Sequence, residues 1–311
     1  MTSTRLMVRL ARQALNLTDC ISFKLIRDRF TPYTRLSGEW YCPRETQPGE
    51  ILTVMFYIDG NAVHIGMPCG SEIIRRDEKT VLKLDSKGYS SLLLLNQCPD
   101  GLIPDINLEG LVKASGITIP NTVFQADTPT VNYVNYYDGT SIWDGIVCYS
   151  IRAGGTYPYL SGYNQIRISP QKPTRTVEIS DSNLIYHSSA TDYSRIISKI
   201  SMHSIDGEGG GYSLLNHLSP RTSIVRNQEL PFDRKWIMDP DLGLKMKIDY
   251  SMRGLNCDKF GVLGYISADL LDSLSVPVMS FSATVSAITV SGSPKTGIIT
   301  EFRCDHDSYT A

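Results

Sequence analysis

Apolar and polar residues alternate with a period of two through most of the first hundred positions. Gly, Pro, Asp and Asn break the alternation at intervals, the mark of half-buried strands separated by turns. In Ile21-Ser-Phe-Lys-Leu-Ile-Arg27 the alternation places Ile21, Phe23 and Leu25 on one face. Ile51 to Ile58 runs into Asp59-Gly60 and out through Asn61-Ala-Val-His-Ile-Gly66. This predicts a hairpin, because an Asp-Gly pair adopts positive φ at little cost. Ser71-Glu-Ile-Ile74 and Thr80-Val-Leu-Lys-Leu-Asp85 predict two further strands, and Ser90-Ser-Leu-Leu-Leu-Leu-Asn96 a short helical turn or buried segment. Residues 1–97 read as a small antiparallel barrel or sandwich.

The period changes after Cys98-Pro-Asp-Gly101. Leu108, Leu111 and Val112 take helical spacing, with Asn107 as N-cap and Gly116 as stop. Ile142, Trp143, Ile146 and Val147 mark a second helix that begins near Asp138-Gly-Thr140 and ends toward Gly154-Gly155. Strand alternation returns from Tyr157 to Ser169, so residues 98–170 read as a small α+β unit. Pro170-Gln-Lys-Pro173 looks like a linker. Beyond it, Thr176–Ser180, Arg195–Met202, Val276–Thr289 and Gly297–Cys304 are β-patterned, with a helix over Pro240–Met252 and a loose terminus from Asp305. The resulting expectation is an α+β, mainly β fold with domains at 1–97, 98–170 and 171–311.

Composition narrows the function. Acidic residues number 32 and basic residues 30, a net charge of −2. That balance lacks the basic field of a nucleic-acid binder, so no nucleic-acid partner is expected. The longest strongly apolar run, Leu92 to Leu95, is far short of the ~20 residues that span a bilayer, so no membrane insertion is expected. Arg5, Arg9 and Arg12 interrupt the opening where a secretory signal would be continuously apolar. Seven dispersed cysteines, with no Cys-x-x-Cys, read as mostly buried thiols made in a reducing cytoplasm, where the Asn16-Leu-Thr18 sequon has no meaning.

Candidate chemistry is sparse. Gly207, Gly209, Gly210 and Gly211 invite a phosphate-loop reading, but Tyr212 stands where the fingerprint needs a glycine and no Gly-Lys-Ser/Thr occurs; a turning loop is the better reading. His64, His187, His203, His217 and His306 have no metal-ligand spacing, although the carboxylates around His306 in Asp305-His-Asp307 would favour its charged form. Asp239-Pro-Asp241 suits a helix N-terminus better than acid–base work. No nucleophile elbow is present, although a triad can assemble from distant positions. The tyrosines at 133, 136, 137, 157, 159 and 163 suit packing or a protein interface, and a sugar platform less well. No catalytic, cofactor-binding or metal-binding residue is assigned, no cofactor is expected, and the chain reads as non-enzymatic.

The order of these pieces resembles the baseplate hub proteins of contractile-tailed phages and phage-tail-like particles, the late control protein D-like hub family. The segment Glu50 to Gly66 is similar to the hub's strand pair, and Val81 to Asn96 to the closing segment of its first tube-like barrel. Leu108–Ile119 followed by Gly139-Thr-Ser-Ile-Trp-Asp-Gly-Ile146 and Gly162-Tyr-Asn-Gln-Ile-Arg-Ile168 is similar to its inserted domain. Gly207 to Lys235 has no counterpart in that family. The resemblance implies two small antiparallel tube-like barrels flanking an inserted α+β domain, and a homotrimer whose pseudo-sixfold ring joins the tail tube to the central spike. Implied partners are further copies of the chain, the tail tube protein, the spike protein, other baseplate proteins and the tape measure protein. It further implies synthesis in a bacterial host cytoplasm and assembly in a virion baseplate or tail-like particle. Alternatives are a distal tail or tube-like component, a cell-wall hydrolase of the same particle, or a carbohydrate-binding module.

Overall fold

The computed structural model describes residues 3–11, 13–98, 101–136, 139–170, 175–203, 211–217, 225–231 and 240–306. The first region holds β1 (Thr4–Leu10), β2 (Ala14–Leu17), β3 (Cys20–Asp28), β4 (Arg35–Tyr41), β5 (Ile51–Ile58), β6 (Asn61–Arg76) and β7 (Lys79–Gly88). The middle holds α1 (Leu92–Leu95), β8 (Gly101–Ile106), α2 (Leu108–Ala114), β9 (Val123–Phe124), β10 (Val131–Tyr136), α3 (Ile142–Gly154), β11 (Tyr159–Ser161) and β12 (Gln165–Arg167). The last region holds β13 (Thr176–Glu178), β14 (Leu184–Thr191), β15 (Lys199–His203), β16 (Tyr212–Leu215), β17 (Asn227–Pro231) and α4 (Pro240–Ser251). It continues through β18 (Asn256–Leu263), β19 (Ser273–Val276), β20 (Phe281–Thr284), β21 (Ala287–Ser293) and β22 (Gly297–Asp305).

The fold is mainly β with few helices, organised around one large curled sheet. Its 11 strands run β14-β18-β22-β21-β3-β4-β7-β6-β5-β1-β2, so both ends of the chain feed the same sheet. The junction is antiparallel pairing of β21 with β3, from Ala287 opposite Asp28 to Gly292 opposite Phe23. The alternation read from the sequence does its work here: Phe23, Leu25, Leu36, Trp40, Leu82 and Leu84 face one core that also takes Phe260, Ile288, Val290 and Phe302 from the far end of the chain. A second core lies in the middle region, around Leu108, Trp143, Ile146 and Ile166. A third packs α4 against β15 through Leu244, Ile248, Ile200 and Met202.

Local chemistry explains the middle helices. The Asn107 side chain accepts from the Gly110 N–H at 2.8 Å, capping α2. Ser141 and Asp144 form a reciprocal capping box at the start of α3, and Gly155 ends that helix at φ 66°. Two expectations are corrected. Residues 61–76 form one strand, because a bulge between Pro68 and Gly70 bends β6 and keeps it paired to β7 where a break was expected before Ser71. Val276–Thr289 is not one strand: Pro277 opens a turn, Ser280 takes φ 51°, and β20 folds back on β19. The alternation of apolar residues continues through that turn by chance, leaving Val278 and Met279 exposed.

The sheet junction depends on two glycines. Phe23 lies in register between Gly38 on β4 and Gly292 on β21. A Cβ on Gly292 would meet the Phe23 ring at 2.5 Å, and one on Gly38 would meet the Ser22 carbonyl oxygen at 2.4 Å and the Trp40 ring at 2.6 Å. The glycines therefore admit two large rings that stack into the core, with Phe23 at 4.8 Å from Phe56. Gly38→Ala is expected to lower unfolding stability by about 1–3 kcal/mol through overpacking. Gly49→Ala, with open space around the new methyl, is expected to stay within about 0.5 kcal/mol. Urea unfolding of both variants checks the contrast.

Candidate functional site

The end of β3 and the turn after it, Arg27 to Phe30, engage both other regions. Arg27 is nearly buried. Its guanidinium donates to the Ala268 carbonyl at 3.1 Å and to the Leu160 carbonyl at 3.2 Å, and pairs with the Asp269 carboxylate. Asp269 also accepts from the Ser161 hydroxyl, and from the Gly162 N–H at 3.0 Å. One ion pair thus ties β3, the β11 corner of the middle region and the loop before β19.

The next residues extend the clamp. Asp28 accepts from Arg303 at 3.0 Å, and Arg303 bonds Asp305 at 2.9 Å. Burial works against the Arg303 charge, but Asp305 and Asp28 outweigh it and raise its pKa. Arg29 is the opposite case: burial outweighs Asp249, Asp305 and Asp28 and lowers its pKa. Phe30 meets Tyr157 of the middle region edge-on at 5.0 Å and Tyr250 of α4 at 5.6 Å. Arg253 stacks on Tyr250 at 4.6 Å.

His64 is fully buried between strands of the first region. Ser86 donates its only hydrogen to the Met67 carbonyl at 2.9 Å. Its oxygen therefore accepts from His64 Nε2 at 2.8 Å, leaving Nδ1 to accept from Thr34 at 2.6 Å. This fixes the neutral Nε2–H tautomer. Burial pushes the pKa down to about 3, so the imidazole is a structural peg.

The remaining candidate is a cluster near the outer edge of the sheet. His187 donates to Asp258 at 2.8 Å, His306 donates to the other carboxylate oxygen at 2.6 Å, and Ser189 donates at 2.5 Å. Burial acts to raise the Asp258 pKa, but these hydrogen bonds outweigh it and hold the carboxyl below its ordinary value. Serine, histidine and aspartate are all present, yet Ser189 and His187 give their protons to the same carboxylate oxygen. A triad needs the serine bonded to the histidine, which here it is not, so the hydroxyl is not activated. Burial likewise raises the thiols of Cys20 to about 11 and Cys304 to about 12, which keeps them protonated.

Other residues singled out from the sequence scatter. Cys98, Cys257 and Cys304 are buried, Cys20, Cys42 and Cys148 are half-buried, and Cys69 is exposed, so fewer than most are fully buried. Tyr159 is buried in the main core, Tyr157 lies in the clamp, and Tyr133 stacks under Arg152 at 4.5 Å; these three serve packing. Gly207, Gly209, Gly210, Asp239, Asp307 and Tyr137 lie outside the described residues. His217 and Gly211 are exposed, far along the chain from the cluster at Asp258. Among the described residues no group of His, Cys, Asp and Glu is placed to hold a metal ion, and no helix is long and apolar enough to cross a membrane.

A trough of 790 Å³ crosses the outer face of the sheet, lined by Lys24, Arg35, Glu39, Glu72, Lys83 and Asp85 among smaller residues. Arg35 forks onto Asp85 at 3.2 and 3.0 Å, and Lys83 faces Glu72 at 3.9 Å. The charges cancel locally, which leaves no surplus of cations for a phosphate backbone. Among the described residues the two end strands of the large sheet, β2 and β14, each pair with one strand.

No protein-family model matches the chain, and no curated protein matches it in sequence. Its three-dimensional likeness to solved structures is extensive. A tail protein from Neisseria meningitidis, 14% identical, superposes with a TM-score of 0.70 across 99% of this chain and 98% of that one. The 43 kDa tail protein of prophage MuSo2 from Shewanella oneidensis, 11% identical, gives 0.68 across 99% of both chains. The chain has the fold of phage tail proteins. An Escherichia coli component of the type VI secretion system, described as structurally similar to bacteriophage T4 tail proteins, shares this fold at 9% identity and a TM-score of 0.59, across 98% of this chain and 77% of that one.

Arg27→Met is expected to cost about 1–3 kcal/mol, because Asp269 loses its countercharge but keeps the Ser161, Gly162 and Leu270 donors. The Arg27→Met/Asp269→Leu double variant should recover part of this, as a double-mutant cycle in urea measures. His64 supplies a second test. Its folded pKa lies below its unfolded value of about 6.5, so the unfolded chain binds the extra proton. Its contribution is intact above that value and is lost at up to about 1.4 kcal/mol per unit as pH falls toward 3. Between pH 7 and 5 the wild type should lose more stability than His64→Gln, as urea midpoints would record.

Proposed function

We infer that this chain is a structural subunit of a phage-type tail baseplate, the hub that joins the tail tube to the central spike. The observation that carries this reading is end-to-end likeness to two tail proteins, covering 99% of this chain and nearly all of each of them. Agreement over whole lengths at so low an identity means that arrangement has been kept while side chains have not. The structural role is read from that likeness of fold.

In this reading residues 1–97 and 171–311 are two tube-like β modules, with residues 98–170 inserted between them. Three subunits would present six modules in a ring, meeting a sixfold tube on one side and a threefold spike on the other. The continuous sheet supports the idea, because it locks the two modules into a fixed relative orientation, which a ring of alternating modules requires. Partners are further copies of the chain, the tail tube and spike proteins, other baseplate proteins and the tape measure protein. The subunit acts in the baseplate of a virion or tail-like particle, by complementary surfaces and without catalysis. The misassembled Ser189–Asp258–His187 contact and the protonated thiols favour this over a hydrolase.

Sedimentation equilibrium of the purified chain is expected to give three times the chain mass. A six-subunit ring would replace the hub with a tube or distal-tail role, and a persistent monomer would remove the ring. Incubation with purified peptidoglycan is expected to release no soluble fragments. Release that scaled with protein would establish the hydrolase.

A further inference from the structure

Apart from the trough, a cavity of about 520 Å³ opens at the seam between the middle region and the last one. That volume is in the range of small-molecule sites, which favour the joints between packed units. Two buried residues line it: Met246 belongs to the core of the middle region, and Ile197 to the core that packs α4 against β15. Tyr157 and Tyr250 line it as well. Phe30 holds both rings edge-on, at 5.0 and 5.6 Å, so they are set in place before any ligand arrives. Tyr250 is still 43% exposed, which leaves ring surface to cover.

The charge of this cavity has one sign. Arg195, Arg226 and Lys247 line it, and among the described residues no carboxylate does. The trough differs, since Arg35 and Lys83 there have Asp85 and Glu72 opposite them. Arg226 is fixed by main-chain oxygens: its Nη1 donates to the Tyr193 carbonyl at 2.7 Å and to the Ile196 carbonyl at 3.5 Å. Both bonds use one nitrogen, which leaves Nη2 and Nε as a fork of the kind that grips a carboxylate through two parallel bonds. Exposed Asp192 lies in the field of Arg195 and Arg226. Its carboxylate accepts from the Ser194 N–H at 2.8 Å and does not line the cavity. A ligand that was anionic at one end and apolar at the other would meet both kinds of wall at once.

We propose that this cavity binds a carboxylate carried on an aromatic or apolar body. The carboxylate sits on Arg195 and Arg226, and the body lies against Tyr157, Tyr250, Ile197 and Met246. Such a group is offered by a free small molecule, or by an acidic side chain beside an apolar one in a partner protein. The site goes beyond the ring reading above and does not depend on it.

Titration calorimetry of the purified chain in low-salt buffer tests it with three probes. Phenylacetate carries both features, acetate is the anion without the body, and phenylacetamide is the body without the charge. Phenylacetate is expected to bind once per chain, at least about tenfold tighter than either of the others. Arg195→Gln, at an exposed position, is expected to weaken phenylacetate about tenfold while leaving the circular dichroism spectrum unchanged. Lys24→Gln, which removes one exposed charge from the trough, is expected to leave the affinity as it was. An end-blocked phenylalanyl-glutamate dipeptide separates the two sources. Tighter binding than phenylacetate assigns the site to a partner's acidic segment, and weaker binding assigns it to a free small molecule. Absence of saturable binding by both phenylacetate and the dipeptide overturns the proposal. So does acetate that binds as tightly as phenylacetate, or phenylacetate binding that Arg195→Gln leaves intact. Equal weakening by Lys24→Gln would mean attraction to net charge alone, and overturns it too.

Discussion

Arg27-Asp-Arg-Phe30 at the end of β3 ties together parts of the molecule that lie far apart along the chain. β3 is a central strand of the large sheet, with β21 on one side and β4 on the other. Its backbone therefore already joins the two halves of the chain. The four residues at its end add side-chain ties to the regions the backbone does not reach. Arg27 takes hold of the middle region and the loop before β19, Asp28 of β22, and Phe30 of α4. A nearly buried arginine is costly to desolvate, so its guanidinium is tolerable only where carboxylate and carbonyls surround it. That requirement runs in both directions: the middle region cannot shift without stranding the charge.

Sheet continuity and clamp have the same physical effect at different scales. Antiparallel pairing across β21 and β3 fixes register to the residue, because a slip of one would turn Phe23 and Leu25 outward. The glycines on either side of Phe23 let the pairing occur without pushing its ring off the core. Two β regions that could have folded as loosely tethered modules are therefore one body.

Much of this was legible in the sequence, wherever the governing physics was local. The Asp59-Gly60 hairpin, the Asn107 cap, the helix of Ile142, Trp143, Ile146 and Val147 and the mainly β class all follow from periods and turn residues within a few positions. The single strand over 61–76 was missed because a bulge looks like a break when only one strand is visible. The clamp left no trace, since Arg27 and Asp269 are separated by most of the chain and an arginine in a strand pattern reads as an exposed position. β14 passed unread for a different reason: an edge strand exposed on nearly all sides lacks the alternation that marks burial. Its clue was composition alone, Leu-Ile-Tyr-His-Ser-Ser-Ala-Thr, rich in strand-forming types and poor in charge.

The titratable groups point the same way as the packing. His64 is held neutral between two hydroxyls, the thiols of Cys20 and Cys304 are kept protonated by burial, and Asp258 spends both oxygens on side chains of its own sheet. In the trough Arg35 pairs with Asp85 and Lys83 faces Glu72. These groups are engaged in holding strands together. Such contacts between neighbouring strands are how side chains stabilise a sheet beyond its backbone ladder.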